Sequence, residues 1–278
     1  MKLLLTYIRR AGGVYSSTSD MVKIGQSILN SSLLDPALTR RWMKPVTHTS
    51  NPLQAVGAPW EIMSIRLPTT NRLVDVYAKS GSLSPYTSLV ALMPDWGIGF
   101  VVMVAGQATW DVLVELIAEI FLQAVEDAAR EEADQIYSGT YVSTDPNLNS
   151  SLTITTDPLR PGLGISNFIS NGTDLLQSYV DLLGANIPIT DLSLRLYPTN
   201  LITQETNGDK KVAWRALIEY TGGPAPPPRV FDIGCSSWGG ADGLMYGSIA
   251  FDDFVFTIGE GSAKSIEPRF FRVVLNKA

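Results

Sequence analysis

The chain has 278 residues, of which 45% are hydrophobic, and it carries a formal net charge of −6 at pH 7. This length can bury a core in one or two domains, and the acidic balance without any Lys/Arg block excludes binding along a nucleic-acid backbone. One cysteine, Cys235, and one histidine, His48, exclude an internal disulfide and an ordinary Cys/His zinc site, so neither a metal nor another cofactor is expected.

The N-terminal stretch Met1–Arg10 begins like a signal peptide but turns basic before a full apolar region has formed. It is not expected to direct secretion, which leaves a cytoplasmic location open. Three sequons, beginning at Asn30, Asn149 and Asn171, are nevertheless candidate N-glycosylation sites and suit a secreted ancestor. The longest apolar run, Ile98–Ala105, is too short to span a membrane and is interpreted as a buried strand.

Two short helices are predicted in the first 43 residues. Ser19 or Asp20 can cap a helix whose apolar residues, from Met21 to Leu29, recur at roughly helical spacing. Asp35-Pro36 then combines an N-cap residue with proline at the first helical position, which predicts a second helix that ends near Met43.

His48 follows these helices in a Thr-rich loop. It is the only base that a Ser-His-Asp arrangement could use, but the sequence shows no partner for it. A surface or packing histidine is therefore the preferred interpretation.

The clearest pattern in the chain spans residues 72 to 105. Arg72–Ser80, Tyr86–Met93 and Ile98–Ala105 are predicted to be adjacent antiparallel strands, and Pro94-Asp95-Trp96-Gly97 forms one of the turns between them. A long amphipathic helix, Thr109–Arg130, follows and should pack on this sheet. Its predicted buried face consists of Val112, Leu113, Leu116, Ile117, Ile120, Phe121, Ala124 and Val125, whereas Glu115, Glu119, Glu126 and Asp127 should point away.

Beyond the acidic end of this helix the sequence changes to short β-like runs separated by turns, such as the Gly/Pro-rich segment 222–228. We interpret an α+β chain with two domains, residues 1–133 with an antiparallel sheet and packed helices, and residues 134–278 with a β-rich fold. The predicted strands of the second domain are Ser151–Thr155, Leu192–Leu196, Val212–Tyr220, Leu244–Ile258 and Arg269–Leu275.

One triplet carries a chemical signal: Lys79-Ser80-Gly81, at the predicted end of a strand and followed by Ser82. An ammonium and a neighbouring hydroxyl can both bind a substrate carboxylate, and glycine lets backbone and ligand approach closely. The next backbone N–H can complete an oxyanion hole. The alternative interpretation is a solvated lysine at a strand end before a turn.

Four ordered segments that include this triplet are Ala11–Met21, Gly57–Ile62, Tyr77–Gly81 and Leu92–Asp95. Together they resemble the C-terminal part of the β-lactamase/transpeptidase-like domain, of penicillin-binding fold, in fungal β-lactamase-related serine hydrolases. Through Cys235–Trp238 and Phe251–Phe256, residues 137–278 resemble the β-rich C-terminal domain of that family.

The resemblance implies roles for individual residues. Lys79 and Ser80 would contact the substrate, Gly81 would be the close-approach position, and Ser82 would supply an oxyanion-hole N–H. The implied activity is hydrolysis or acyl transfer on a small-molecule ester, amide or lactam through an acyl-enzyme, and full-length members would be secreted. Neither a nucleic-acid nor a membrane partner is implied, and no feature favours a particular oligomeric state.

The departure from the family pattern is large. No serine stands three residues before any lysine, so the Ser-x-x-Lys pair that supplies nucleophile and base is absent, and no Tyr-x-Asn occurs. We therefore expect a truncated chain that is inactive alone. Two other hypotheses stay open, a non-catalytic ligand-binding module and a truncated remnant with an exposed apolar sheet face that would tend to aggregate.

Overall fold

The structure, a computed structural model, describes residues 14–83, 85–183, 188–222 and 236–278. Its contacts divide the chain into two units, Met1–Ala129 and Arg130–Ala278. The predicted boundary at residues 133/134 lies four residues further along the chain. The N-terminal leader-like stretch, residues 11–13 of the first resembling segment, Cys235 and residues 223–228 of the predicted turn segment lie outside the described residues.

The first unit opens with two helices, α1 (Thr18–Leu29) and α2 (Pro36–Trp42). Ser17 caps α1, because its hydroxyl accepts the Asp20 N–H at 3.1 Å, so the predicted cap was two or three residues too late. The start of α2 is confirmed, since the Asp35 carboxylate accepts the Ala37 N–H at 2.8 Å. The helix ends at Trp42 and Met43 is its C-cap, in agreement with the predicted end near Met43.

A six-stranded antiparallel sheet follows, with its strands in chain order. The predicted run of three adjacent strands is confirmed, but its first strand continues to Leu83, past the predicted end at Ser80. The short strands before it were not predicted. The strands are β1 (Thr47–His48), β2 (Gln54–Val56), β3 (Glu61–Arg66), β4 (Leu73–Leu83), β5 (Tyr86–Met93) and β6 (Ile98–Ala105).

Helix α3 (Trp110–Tyr137) packs on this sheet, as predicted, but through a different face. Most of the predicted face is exposed, with Ile120 at 73% and Val112 at 63%. The contacts with the sheet come from Val114, Ala118 and Leu122, together with Phe121 of the predicted face. The helix is apolar on more than one side, so periodicity alone did not decide its orientation.

An ion pair helps to fix that orientation. Glu126, predicted to point away from the sheet, is buried, and its carboxylate lies 3.0 Å from a guanidinium nitrogen of Arg72. The second terminal nitrogen of Arg72 lies 2.9 Å from the carboxylate of Asp95. A buried carboxylate needs such a partner, so this face of α3 turns towards the sheet.

The second unit is a closed antiparallel barrel among the residues described. Eight strands pair in a ring because β8 hydrogen-bonds β9 as well as β7, and the short β10 adds to β9. The strands are β7 (Gly139–Ser143), β8 (Ser151–Asp157), β9 (Arg160–Ser170), β10 (Thr173–Asp174), β11 (Leu192–Gln204), β12 (Lys210–Tyr220), β15 (Asp253–Gly259), β16 (Ser262–Pro268) and β17 (Leu275–Lys277).

The remaining elements of this unit lie between barrel strands. They are helices α4 (Leu175–Leu183) and α5 (Ser236–Gly239), the short strands β13 (Met245–Tyr246) and β14 (Ile249–Ala250), and 3-10 turns at Ile189–Asp191 and Arg269–Phe271. The predicted strand Leu244–Ile258 is therefore three strands, and most of the predicted strand Arg269–Leu275 is a 3-10 turn and loop.

Apolar and aromatic side chains fill the barrel, as an eight-stranded ring allows. Alternate residues of β15 point inward, and Phe254 and Phe256 are fully buried. The end of α3 joins this core, since Tyr137 stacks edge-on against Trp214 and Phe256 with ring centroids 5.0 and 4.9 Å away. Across the described residues, no helix is long and apolar enough to cross a membrane.

Candidate functional site

The end of β4 extends beyond its neighbour on one side. Strand β3 begins at Glu61, which pairs with Ala78, so among the strands that the structure describes residues 79–83 of β4 pair with β5 alone. The Ser80 N–H points away from β5, because it donates to a carboxylate oxygen of Glu61 at 3.1 Å. Strand alternation directs the Ser82 N–H to the same open side.

Glu61 binds both polar side chains of the predicted motif. Its carboxylate accepts from the ammonium of Lys79, from the Ser80 hydroxyl at 3.1 Å and from the Ser80 N–H. The Lys79 ammonium also donates to the Ser80 carbonyl at 3.0 Å. The two charged side chains are about two-fifths exposed, 44% for Lys79 and 43% for Glu61, so the pair lies at the surface of the strand edge.

The pKa of Glu61 reflects two opposing effects. Partial burial raises it, but the hydrogen bonds from Lys79 and Ser80 favour the ionised form and hold the pKa below the usual glutamate value. Glu61 is therefore an ionised acceptor at neutral pH and a weak base.

Replacing Lys79 with methionine should raise the pKa of Glu61, because burial continues to favour the neutral form after the largest hydrogen-bond contribution is gone. The carboxyl carbon of Glu61, followed by NMR through a pH titration, should show a higher midpoint in the variant. Lys23→Met is the control, since Lys23 pairs with Asp20 on α1 and should leave the Glu61 midpoint unchanged. An equal midpoint in Lys79→Met would show that the ion pair does not form in solution.

A cavity of about 430 Å³ lies against the ends of β4, β5 and β6. Gly81 and Ser82 line it, together with Tyr86, Ser88 and Met103. A Cβ on Gly81 would come within 2.9 Å of the Ser88 hydroxyl. Because glycine has no side chain, it leaves this part of the cavity open.

The predicted site residues are thus contiguous on one strand but face different surroundings. Gly81 and Ser82 line the cavity, whereas Lys79 is absent from its described lining and turns to Glu61. The strand does not end at Ser80, contrary to our expectation, because Gly81 and Ser82 pair with Ser88 and Thr87 in the β4–β5 ladder. The substrate-binding and oxyanion roles of these residues stay predictions.

Sequence reasoning missed Glu61 as a site residue. It stands in the segment Gly57–Ile62, between Trp60 and Ile62, each only 4% exposed. That segment is one of the four that resemble the family. The contact of Glu61 with Lys79, however, depends on how β3 pairs with β4, and this pairing cannot be predicted from the local sequence. The only histidine, His48, is exposed in β1.

Two further predicted features can be placed. Asn30, Asn149 and Asn171, the sequon asparagines, are all exposed, so their glycosylation stays a prediction. A second cavity, of about 690 Å³, lies in the second unit beside β12 and is lined by Tyr179, Tyr220 and other residues.

Comparison with known proteins identifies the family. Residues 129–278, more than half of the chain, match the family model described as "Beta-lactamase-like-like, C-terminal domain". The chain belongs to this beta-lactamase-like family. It is 28% identical over 292 residues to a "Beta-lactamase-like protein" of Arthroderma benhamiae, covering 96% of this chain and 49% of that protein.

The similarity extends to other fungal members. A "Probable hydrolase clz13" of Cochliobolus lunatus is 30% identical over 169 residues, covering 59% of this chain and 27% of that protein. The chain spans about half or less of the length of these two relatives. A solved structure, that of the octameric penicillin-binding protein homologue from Pyrococcus abyssi, aligns at 11% sequence identity. The alignment covers 94% of this chain and 47% of that protein's chain, with a TM-score of 0.31, and no fold assignment rests on it.

Proposed function

We propose that this chain supplies the substrate-binding wall of a serine hydrolase or acyltransferase that acts on small-molecule esters, amides or lactams through an acyl-enzyme. The observation that carries the proposal is the edge of β4 beyond β3, where the Ser80 N–H points away from β5 and strand alternation directs the Ser82 N–H to the same side, beside a cavity that Ser82 lines. A backbone N–H in that position can stabilise the oxyanion of an acyl carbonyl. The hydrolase name of the Cochliobolus relative supports the reaction class.

In this proposal the nucleophile comes from polypeptide that these 278 residues do not contain. The serine of a Ser-x-x-Lys segment attacks the acyl carbon, its proton passes to the lysine, and the leaving alcohol or amine takes that proton. Water or another acceptor then releases the acyl group from the serine. The chain's share in this chemistry is to bind the acyl group and hold its oxygen.

The chain alone should not turn over substrate. Within the predicted motif, Ser80 is the residue that most resembles an activated nucleophile, because its hydroxyl lies 3.1 Å from the carboxylate of Glu61. A carboxylate with a lowered pKa is too weak a base to activate a hydroxyl at neutral pH. The ammonium of Lys79 is held by the same carboxylate and is not available as a base.

The test compares the chain as given with an extended version that carries an upstream Ser-x-x-Lys segment from the genomic locus. The chain as given should not hydrolyse p-nitrophenyl acetate above a Lys79→Ala control, nor react with a fluorophosphonate probe. The extended version should be labelled at the restored serine, and alanine at that serine should abolish labelling. Stoichiometric labelling or clear turnover by the unextended chain would refute the proposal.

A second candidate is a ligand-binding module without catalysis. The cavity beside Gly81 and Ser82 favours it, because a cavity of this size can hold a small ligand without any nucleophile. Saturable binding of the same ester by the extended version, without labelling of its serine, would support this function instead.

A further inference from the structure

We infer that Glu61 occupies the place where Lys79 and Ser80 would hold a substrate carboxylate, so that this site selects neutral esters or amides over carboxylate-bearing substrates. The inference rests on the proposed function and names the substrate class of the same site. It makes Glu61 a specificity-determining residue.

The first argument is hydrogen-bond occupancy. The ammonium of Lys79 and the hydroxyl of Ser80 are the two side-chain donors that the triplet Lys79-Ser80-Gly81 offers to a ligand carboxylate. Both donate to Glu61, and the Ser80 N–H donates to the second oxygen of the same carboxylate. A carboxylate from within the chain already makes the contacts that a ligand carboxylate would need.

The second argument is charge. Lys79 and Glu61 together carry no net charge, so the strand edge does not attract an anion. A ligand carboxylate that approached Lys79 would also approach the ionised Glu61, and repulsion between like charges acts against such ligands. No charged side chain stands among the described residues that line the adjacent cavity.

The third argument is that Glu61 is held in place. It is the first residue of β3 and pairs with Ala78, which is fully buried. Trp60 and Ile62 on either side are each 4% exposed, and Trp60 packs against Trp42 with ring centroids 5.0 Å apart. A ligand can displace the Glu61 side chain only by breaking its three hydrogen bonds, because the backbone beneath it is fixed.

What remains available suits a neutral acyl group. The Ser82 N–H at the open edge is a neutral donor for a carbonyl oxygen. Leu83, Tyr86 and Met103 give the neighbouring cavity an apolar lining that can receive an uncharged acyl chain. The Ser82 N–H can therefore bind the acyl oxygen without any contribution from the Lys79–Glu61 pair.

The test uses two ligands that differ in one charge, hippurate and its methyl ester, titrated into the full chain at pH 7. The amide signals of Ser80 and Ser82 are followed by NMR. The wild type should bind methyl hippurate about tenfold more tightly than hippurate or better. In Glu61→Gln the freed ammonium should increase the affinity for hippurate by about tenfold, and adding Lys79→Met to that variant should abolish the gain.

Glu119→Gln is the matched control, because it removes the same charge from an exposed position of α3 and should keep the wild-type preference. A wild type that prefers hippurate, or a folded Glu61→Gln without the gain, would overturn the inference and leave the proposed function standing. If neither ligand shifts Ser82 in any variant, the proposed function fails and the inference falls with it. The wild-type comparison decides the matter even if Glu61→Gln does not fold.

Discussion

Replacing Phe254 with alanine should lower the free energy of unfolding of residues 130–278 by about 3–5 kcal/mol. The side chain is fully buried inside the barrel and packs against Phe168, with ring centroids 5.9 Å apart. Removing the ring loses its transfer free energy and leaves a cavity that a closed ring of strands cannot easily collapse. Amide hydrogen exchange in peptides that cover β12 and β15 measures the loss.

Leu201→Ala is the control for this prediction. Leu201 lies in β11 of the same barrel but is 69% exposed, so its truncation should change stability by no more than about 0.5 kcal/mol. Equal and small losses in the two variants would mean that Phe254 does not lie in a packed barrel interior.

The sequence predicted best where short-range signals were strong. Asp35-Pro36 specified a helix start, and the alternating apolar residues of β4, β5 and β6 specified three adjacent strands. These features depend on capping, on side-chain alternation and on tight turns, all of which act within a few residues.

Features that depend on distant partners were missed. The barrel closes through pairing of β8 with β9 and of β17 with β7, and the second pairing joins segments more than a hundred residues apart. Short β-like runs predicted a β-rich unit but not this ring. Helix α4 was also missed, although its residues Leu175–Leu183 are strongly apolar.

The orientation of α3 shows the same limit. Its sequence offers several apolar stripes, and the choice among them follows from the sheet surface and from the ion pair between Glu126 and Arg72, 54 positions apart. The stripe that the sequence favoured leaves Leu113, Leu116 and Ile120 exposed.

The candidate site divides in the same way. Lys79, Ser80, Gly81 and Ser82 could be selected because one contiguous motif contains them. Glu61 could not, because its carboxylate reaches them only through the register in which Glu61 pairs with Ala78. Glu61, which offsets the positive charge of Lys79, therefore lies outside the motif that the sequence reveals.

The backbone donor at the open edge can be tested directly in the extended version of the chain. Ser82→Pro should lower kcat for p-nitrophenyl acetate by about 10²–10³-fold, since proline removes the N–H that the proposal places at the oxyanion. The strand should tolerate the change, because strand alternation places this N–H on the same side as the Ser80 N–H, away from β5, and proline is accepted where a strand edge is open.

Ser82→Ala is the matched control, because it removes the hydroxyl and keeps the backbone donor. Its kcat should fall far less than that of Ser82→Pro, and the two variants should show the same β4–β5 amide signals if the strand is intact. The difference in kcat between the two variants is more informative than either kcat alone. Only a catalytic role of the backbone N–H predicts that proline lowers kcat strongly and alanine does not. Equal activity of the two folded variants would show that the oxyanion is stabilised elsewhere, and Ser82 would then be only a lining residue of the cavity.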